Sequence, residues 1–262
     1  YEAARERVRK FINAGSVEEV IFTSGATGSI NLVACGFAKA TLKRGDVVLI
    51  SEMEHHSNFV PWFLLEERYG IERKFIPLRQ DGTLDMKIYE QLLKDENVKL
   101  TAFTHISNVL GTINPVKEMV EMAKNNNVLT LIDGAQGAPH MKVDVRDLDC
   151  DFYAFSSHKM LGPTGVGVLY AKKEILEGME PFMAGGDMIS VVKKDKVLYN
   201  ELPYKFEAGT PNIAGVIGLA TAMDYLDEVG LENIHEHERN LIEYAYKRFN
   251  KEFSDEEVTL YG

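Results

Sequence analysis

Short apolar runs alternate with amphipathic stretches along most of the chain. The runs Val20 to Thr23, Val47 to Ser51, Leu100 to His105, Val128 to Asp133, Phe152 to Ser156 and Val166 to Tyr170 predict strands. Between them, Ile30, Val33, Ala34 and Phe37 recur at helical spacing, and Pro115 opens a helix carrying Val116, Met119, Val120 and Ala123. Strands alternating with helices predict an α/β fold, a mainly parallel sheet flanked by helices. After Gly215 the texture changes to two long helical stretches, Val216 to Val229 and Leu231 to Phe253, which meet at Gly230. Residues 1–230 therefore read as one large α/β domain and 231–262 as the beginning of a smaller C-terminal domain. Both ends fall inside an expected element, an uncapped helix at Tyr1 to Arg5 and a strand at Val258 to Gly262, as in a piece of a longer chain.

Composition narrows the class. A net charge of -11 over 262 residues, without a Lys/Arg cluster, argues against nucleic acid or an anionic membrane as the main partner. No apolar run approaches the ~20 residues that span a bilayer, and the charged, helix-like first residues do not resemble a signal peptide. The two cysteines, Cys35 and Cys150, form neither a Cys-x-x-Cys pair nor a disulfide framework. The expectation is a cytoplasmic protein, with both cysteines as small core residues.

In open α/β sheets ligands bind outside the carboxyl ends of the strands, and polar residues collect there. Thr23-Ser24-Gly25-Ala26-Thr27-Gly28-Ser29 follows a strand and opens a helix, which reads either as an anion site or as a plain capped turn. Asp133 ends an apolar run and is followed by Gly134-Ala135-Gln136-Gly137; it reads as a strand-end cap or as the partner of a protonated heteroaromatic nitrogen. Lys159 stands behind Ser156-Ser157-His158 and before Gly162-Pro163-Thr164-Gly165, in an irregular turn where a pocket could make it a carbonyl nucleophile. His55 and His56 lack carboxylates or thiols at ligand spacing, so an imidazole stacked on an aromatic cofactor is a simpler reading than zinc, and no metal is expected. His235 and His237 lie in a charged helix and read as solvated surface.

At these residues the sequence resembles the class V aminotransferase family of fold-type I pyridoxal 5'-phosphate (PLP) enzymes, and within it the SufS/CsdA-like cysteine desulfurases. The resemblance is carried by Glu54-His55-His56-Ser57-Asn58, by His105-Ile106-Ser107-Asn108-Val109-Leu110-Gly111-Thr112, by Asp133-Gly134-Ala135-Gln136 and by Ser156-Ser157-His158-Lys159. Gly185-Gly186 and Phe206-Glu207-Ala208-Gly209-Thr210-Pro211-Asn212 extend it. It implies that Lys159 is the Schiff-base lysine, that Asp133 pairs with the pyridine nitrogen, and that His55 stacks on the ring and assists proton transfer. It further implies that Gln136 binds the ring hydroxyl, that Thr27, Ser156 and His158 hold the phosphate, that Asn108 lies near substrate and ring, and that Thr210 reaches the phosphate of a neighbouring subunit. Where relatives often carry Thr-Glu in the phosphate loop, this chain has Thr27-Gly28.

The implied reaction converts L-cysteine to L-alanine and passes sulfur to an enzyme persulfide, then to an acceptor protein, as in iron–sulfur cluster biogenesis by a homodimer. The family's persulfide-forming cysteine and carboxylate-binding arginine belong to a segment that would follow Gly262. Other readings are a selenocysteine lyase, an epimerase or aminotransferase of the same class, and a PLP-binding remnant without catalysis.

Overall fold

The computed structural model describes residues 1–254, 257–258 and 260; the strand expected at 258–262 lies largely outside them. Seven strands form the central sheet: β1 Val20–Thr23, β2 Val47–Ser51, β3 Glu72–Ile76, β4 Val98–Thr104, β5 Leu129–Asp133, β6 Phe152–Ser156 and β7 Gly167–Ala171, in the order β1-β7-β6-β5-β4-β2-β3. Neighbours from β6 to β3 are parallel, while β7 runs antiparallel to both β6 and β1. A separate hairpin, β8 Ile189–Lys193 with β9 Lys196–Tyr199, stands largely exposed.

The sheet is buried on both faces, and its period of two sorts side chains between two cores. Val20, Phe22, Val47, Leu49, Phe103, Ile132, Tyr153 and Phe155 point to one core, shared with α1 Glu2–Phe11 and other helices. Ile21, Val48, Ile50, Leu100, Ala102, Leu131, Phe152 and Ala154 point to the other. There α2, Ala26–Leu32, continues through a π-helical stretch, Val33–Ala38, into α3, Lys39–Thr41, and α4, Val60–Tyr69, adds the buried Trp62.

On the first face follow α5 Met86–Leu92, α6 Val116–Asn125, α7 Gly137–His140 and α8 Val145–Leu148, with α9 Lys173–Gly178 on the second. Helices α10, Ile213–Val229, and α11, Leu231–Glu252, are separated by Gly230, whose φ of 86° suits glycine. Leu231 closes the first core, whereas most of α11 is exposed, His235 and His237 included.

The predicted strands thus appear within one or two residues, and β3 is an addition. Its sequence, Glu-Arg-Lys-Phe-Ile, reads as polar because β3 is an edge strand in which only Ile76 is fully buried. Cys150 is fully buried, as expected, but Cys35 is only half-buried on the π-helical stretch, off the core stripe that carries Val33 and Ala34.

Candidate active site

The carboxyl ends of β2, β4, β5 and β6 deliver Ser51, Thr104, Asp133 and Ser156 to one edge of the sheet. Asp133 is 3% exposed. Its Oδ1 accepts the Ala135 N–H at 3.0 Å, and among the described residues no side chain donates to the carboxyl. Burial raises its pKa, and the hydrogen bond from Ala135, followed by the nearby Lys159 and His55, opposes that rise. Lys159, half-buried, ends a single 3-10 turn, Ser157–Lys159, in the connection between antiparallel β6 and β7. That connection is held at its neck by Ser157 N–H to Val166 O, at 3.0 Å.

His55 is exposed and opens the 3-10 turn His56–Asn58. Its Nδ1 accepts the Ser57 backbone N–H at 3.1 Å. A backbone amide only donates, so Nδ1 is the acceptor and Nε2 carries the proton of the neutral ring.

Ser156 binds the glycine loop directly. Its Oγ accepts the Ala26 N–H at 2.7 Å, across 130 residues of sequence. Beyond it the amides of Thr27 and Gly28, in the first turn of α2, have no acceptor within the helix. The loop can lie this close because Gly167 begins β7: a Cβ there would sit 2.3 Å from the Gly25 Cα.

A second buried layer supports Asp133 from below. The Tyr153 hydroxyl and His105 Nδ1 are 2.9 Å apart. Burial pushes His105 down to about 4, so it is neutral at physiological pH. Gly134 and Gly137 are required above this pair, since a Cβ at Gly134 would meet the Tyr153 ring at 2.0 Å and one at Gly137 the His105 Nδ1 at 2.6 Å.

The structure therefore brings Asp133, Lys159 and His55 together, and Ser156 with the turn that carries Thr27. The remaining candidates stand further out. His158, Thr27 and Asn108 are exposed; Asn108 and the half-buried Gln136 line one groove with His140 and the exposed face of α11. Thr210, also exposed, lines a different cavity beside Ser24 and Gly28 of its own chain. Sequence reasoning gave no role to Glu54, to the His105–Tyr153 pair or to the Arg5–Glu207 ion pair. Arg5 does carry a signal, a charge on the buried stripe of α1 with Ala4, Val8 and Phe11.

Residues 1–261 match the aminotransferase class-V family. The chain belongs to that family. A probable cysteine desulfurase of Halalkalibacterium halodurans is 51% identical over all 262 residues, and a cysteine desulfurase of Pectobacterium atrosepticum is 47% identical over the same span. The chain spans 64% and 63% of those two proteins. Among solved structures, an apo cysteine desulfurase of Thermococcus onnurineus superposes with a TM-score of 0.92 at 40% identity, covering 96% of this chain and 62% of its own. The cysteine desulfurase CsdA of Escherichia coli gives 0.86 at 40% identity, covering 89% and 58%. The fold-type I architecture and the mainly parallel sheet anticipated from the sequence are those of this family. No helix of the described residues is long and apolar enough to cross a membrane.

Proposed function

We propose that this chain is the cofactor-binding part of a PLP-dependent cysteine desulfurase, and the observation that carries this is the buried Asp133 carboxyl, without a side-chain donor, with Lys159 and His55 near it. The donor set fits PLP. A desolvated carboxylate short of donors suits a protonated pyridine nitrogen, a primary amine suits an aldehyde, and the free amides of Thr27 and Gly28 beside Ser156 suit a phosphate. When bound, PLP supplies an electron-withdrawing ring that stabilises negative charge developing on the substrate Cα.

The chain's own residues would do the rest. Asp133 holds positive charge on the ring nitrogen. The Lys159 amine would take and return the Cα proton. His55, with the proton on Nε2, would lie against the cofactor and could donate that proton toward the substrate. Gln136 and Asn108 bound the site on the α11 side, while Thr27, Ser156 and His158 hold the phosphate. The exposed Thr210 is free to meet a second subunit, which supports a homodimer. The exposed α11 supports a second domain beginning near residue 231. L-cysteine is the substrate, an acceptor protein takes the sulfur, and the cytoplasm is the compartment.

Neither cysteine of the chain serves the sulfur step. Cys150 lies just before β6, at the opposite end of the strand from Lys159, roughly 17 Å away along five strand residues. Burial also raises its thiol pKa far above the ordinary range, which removes the reactive thiolate. Cys35 lies nine residues along the helix from Ala26, roughly 13 Å at helical rise.

Added PLP is expected to turn the protein yellow, and borohydride to fix a pyridoxyl group on Lys159. Peptide mapping that finds the group on another lysine, or a Lys159→Ala variant that still reacts, overturns the assignment.

A further inference from the structure

Beneath His55, the Glu54 carboxyl has both oxygens engaged. Oε1 accepts the Thr104 backbone N–H at 2.8 Å, at the end of β4, and pairs with the Ser51 hydroxyl at the end of β2. Oε2 accepts from Asn58 Nδ2 at 2.6 Å. Asn58 is fully buried, and its Oδ1 accepts the Trp62 indole N–H at 3.1 Å. An indole N–H can only donate, so Trp62 dictates which end of the Asn58 amide points at Glu54, and that end is a donor. Fixed donors from Thr104 and Asn58 therefore face the two carboxyl oxygens, and only Ser51 can switch between donating and accepting. The arrangement takes a carboxyl group and rejects the isosteric amide, since a Gln side chain in either orientation would turn its NH2 onto Asn58 or onto Thr104.

We propose that Glu54 is a positioning residue for the reaction put forward above: it clamps the 54–58 turn to the carboxyl ends of β2 and β4 and so fixes the place of His55. The consequence for catalysis rests on the PLP reading, whereas the clamp is a property of this chain alone. Burial, and after it the neighbouring Asp133 charge, pushes the Glu54 carboxyl up to about 8. At neutral pH it mostly holds a proton, which the Ser51 hydroxyl can accept, and it then adds no second negative charge beside Asp133.

The test compares the unaltered chain with Glu54→Gln, Asn58→Asp and the double variant. In the double variant the new amide at position 54 donates to the new carboxylate at 58, which still accepts from Trp62, so every donor regains an acceptor. Trp62 is the single tryptophan, and its emission reports the clamp without any cofactor. PLP affinity and the absorption band of bound PLP report its effect on the site. Each single variant is expected to shift the Trp62 emission, alter the band and weaken PLP binding by about tenfold, the scale of one mispaired buried polar group. The double variant is expected to return all three toward the unaltered chain. A Glu54→Gln variant with unchanged emission, band and affinity overturns the proposal, as does a double variant no better than the worse single one. Should Glu54→Gln fail to fold, recovery of folding and emission in the double variant supports the clamp and failure to recover overturns it. If the unaltered chain binds no PLP, the cofactor reading fails, and emission across the four proteins still decides the clamp.

Discussion

Beside β1, the Arg5 guanidinium is wholly buried and fully partnered. It holds Glu207 through two hydrogen bonds of 2.7 and 2.9 Å, donates to Val20 O at 2.8 Å, and lies against the Phe22 ring. Glu207 in turn accepts the Phe22 N–H at 2.8 Å. At the carboxyl ends of β2 and β5, Asp133 is buried and Glu54 half-buried, yet neither forms an ion pair among the described residues, and both have raised pKa values. The first region matches charge with charge and needs nothing further. The second holds Glu54 by hydrogen bonds alone and leaves the Asp133 carboxyl with a single backbone donor and no ion pair, with Lys159 near it. The same desolvation serves cohesion in one place and recognition in the other.

The largest effect that would break this contrast comes from Glu207→Ala. Removing one member of a buried pair strands the other, and a loss of about 3–5 kcal/mol in urea or thermal unfolding is expected. A loss below about 1 kcal/mol would show that the pair is not the anchor it looks. Next is Asp133→Asn, which removes a costly buried charge. Unfolding stability is expected to hold or rise, while PLP affinity falls by more than tenfold, about 1.4 kcal/mol. A variant that loses stability and keeps affinity would reverse the roles of the two regions.

A smaller effect is expected from pH. In the folded chain Glu54 titrates at about 8 instead of its ordinary 4.5, so the folded state keeps a proton that the unfolded state has released. Its contribution is fully present below 4.5 and is lost as pH rises through 8; Asp133 is shifted in the same direction. His105 works oppositely: lowered from 6.5 to about 4, it costs stability as pH falls from 6.5 toward 4. The carboxyl effect therefore stands clear of His105 between 6.5 and 8, where stability is expected to decline by at most about 1.4 kcal/mol per pH unit per proton. Equilibrium unfolding at several pH values checks this, and Glu54→Gln should flatten the slope. Smallest of all, a Cys35→Ser, Cys150→Ser double variant should leave PLP binding unchanged, and a loss of binding would mean that a thiol lies closer to the site than the strand and helix lengths allow.

How legible this was in the sequence depended on where the partners sit. Strands β2, β5 and β6 are buried on both faces, so their apolar runs stand out, whereas edge strand β3 and the exposed β8–β9 hairpin carry no such signature. Asp133 and Lys159 stood out as candidates because Asp133 ends such a run and Lys159 ends the turn that follows another. Glu54 was not, because its meaning comes from Thr104, 50 residues away, and from a tryptophan acting through an amide. The Arg5–Glu207 pair spans 202 residues, and only the misplaced charge on the α1 stripe hinted at it.

The antiparallel seat of β1 against β7 has a consequence in time. Val20 pairs with Tyr170 and the glycine loop waits for Ser156, so a ribosome making about 5–20 residues per second leaves β1 without its neighbour for roughly 8–30 s. During that interval Val-Ile-Phe-Thr is a bare strand on a nascent chain, open to chaperones or to a stray edge. Its brevity, four residues, limits the danger. The glycine-loop end of the candidate site is thus translated early and joined to Ser156 only after about 130 further residues.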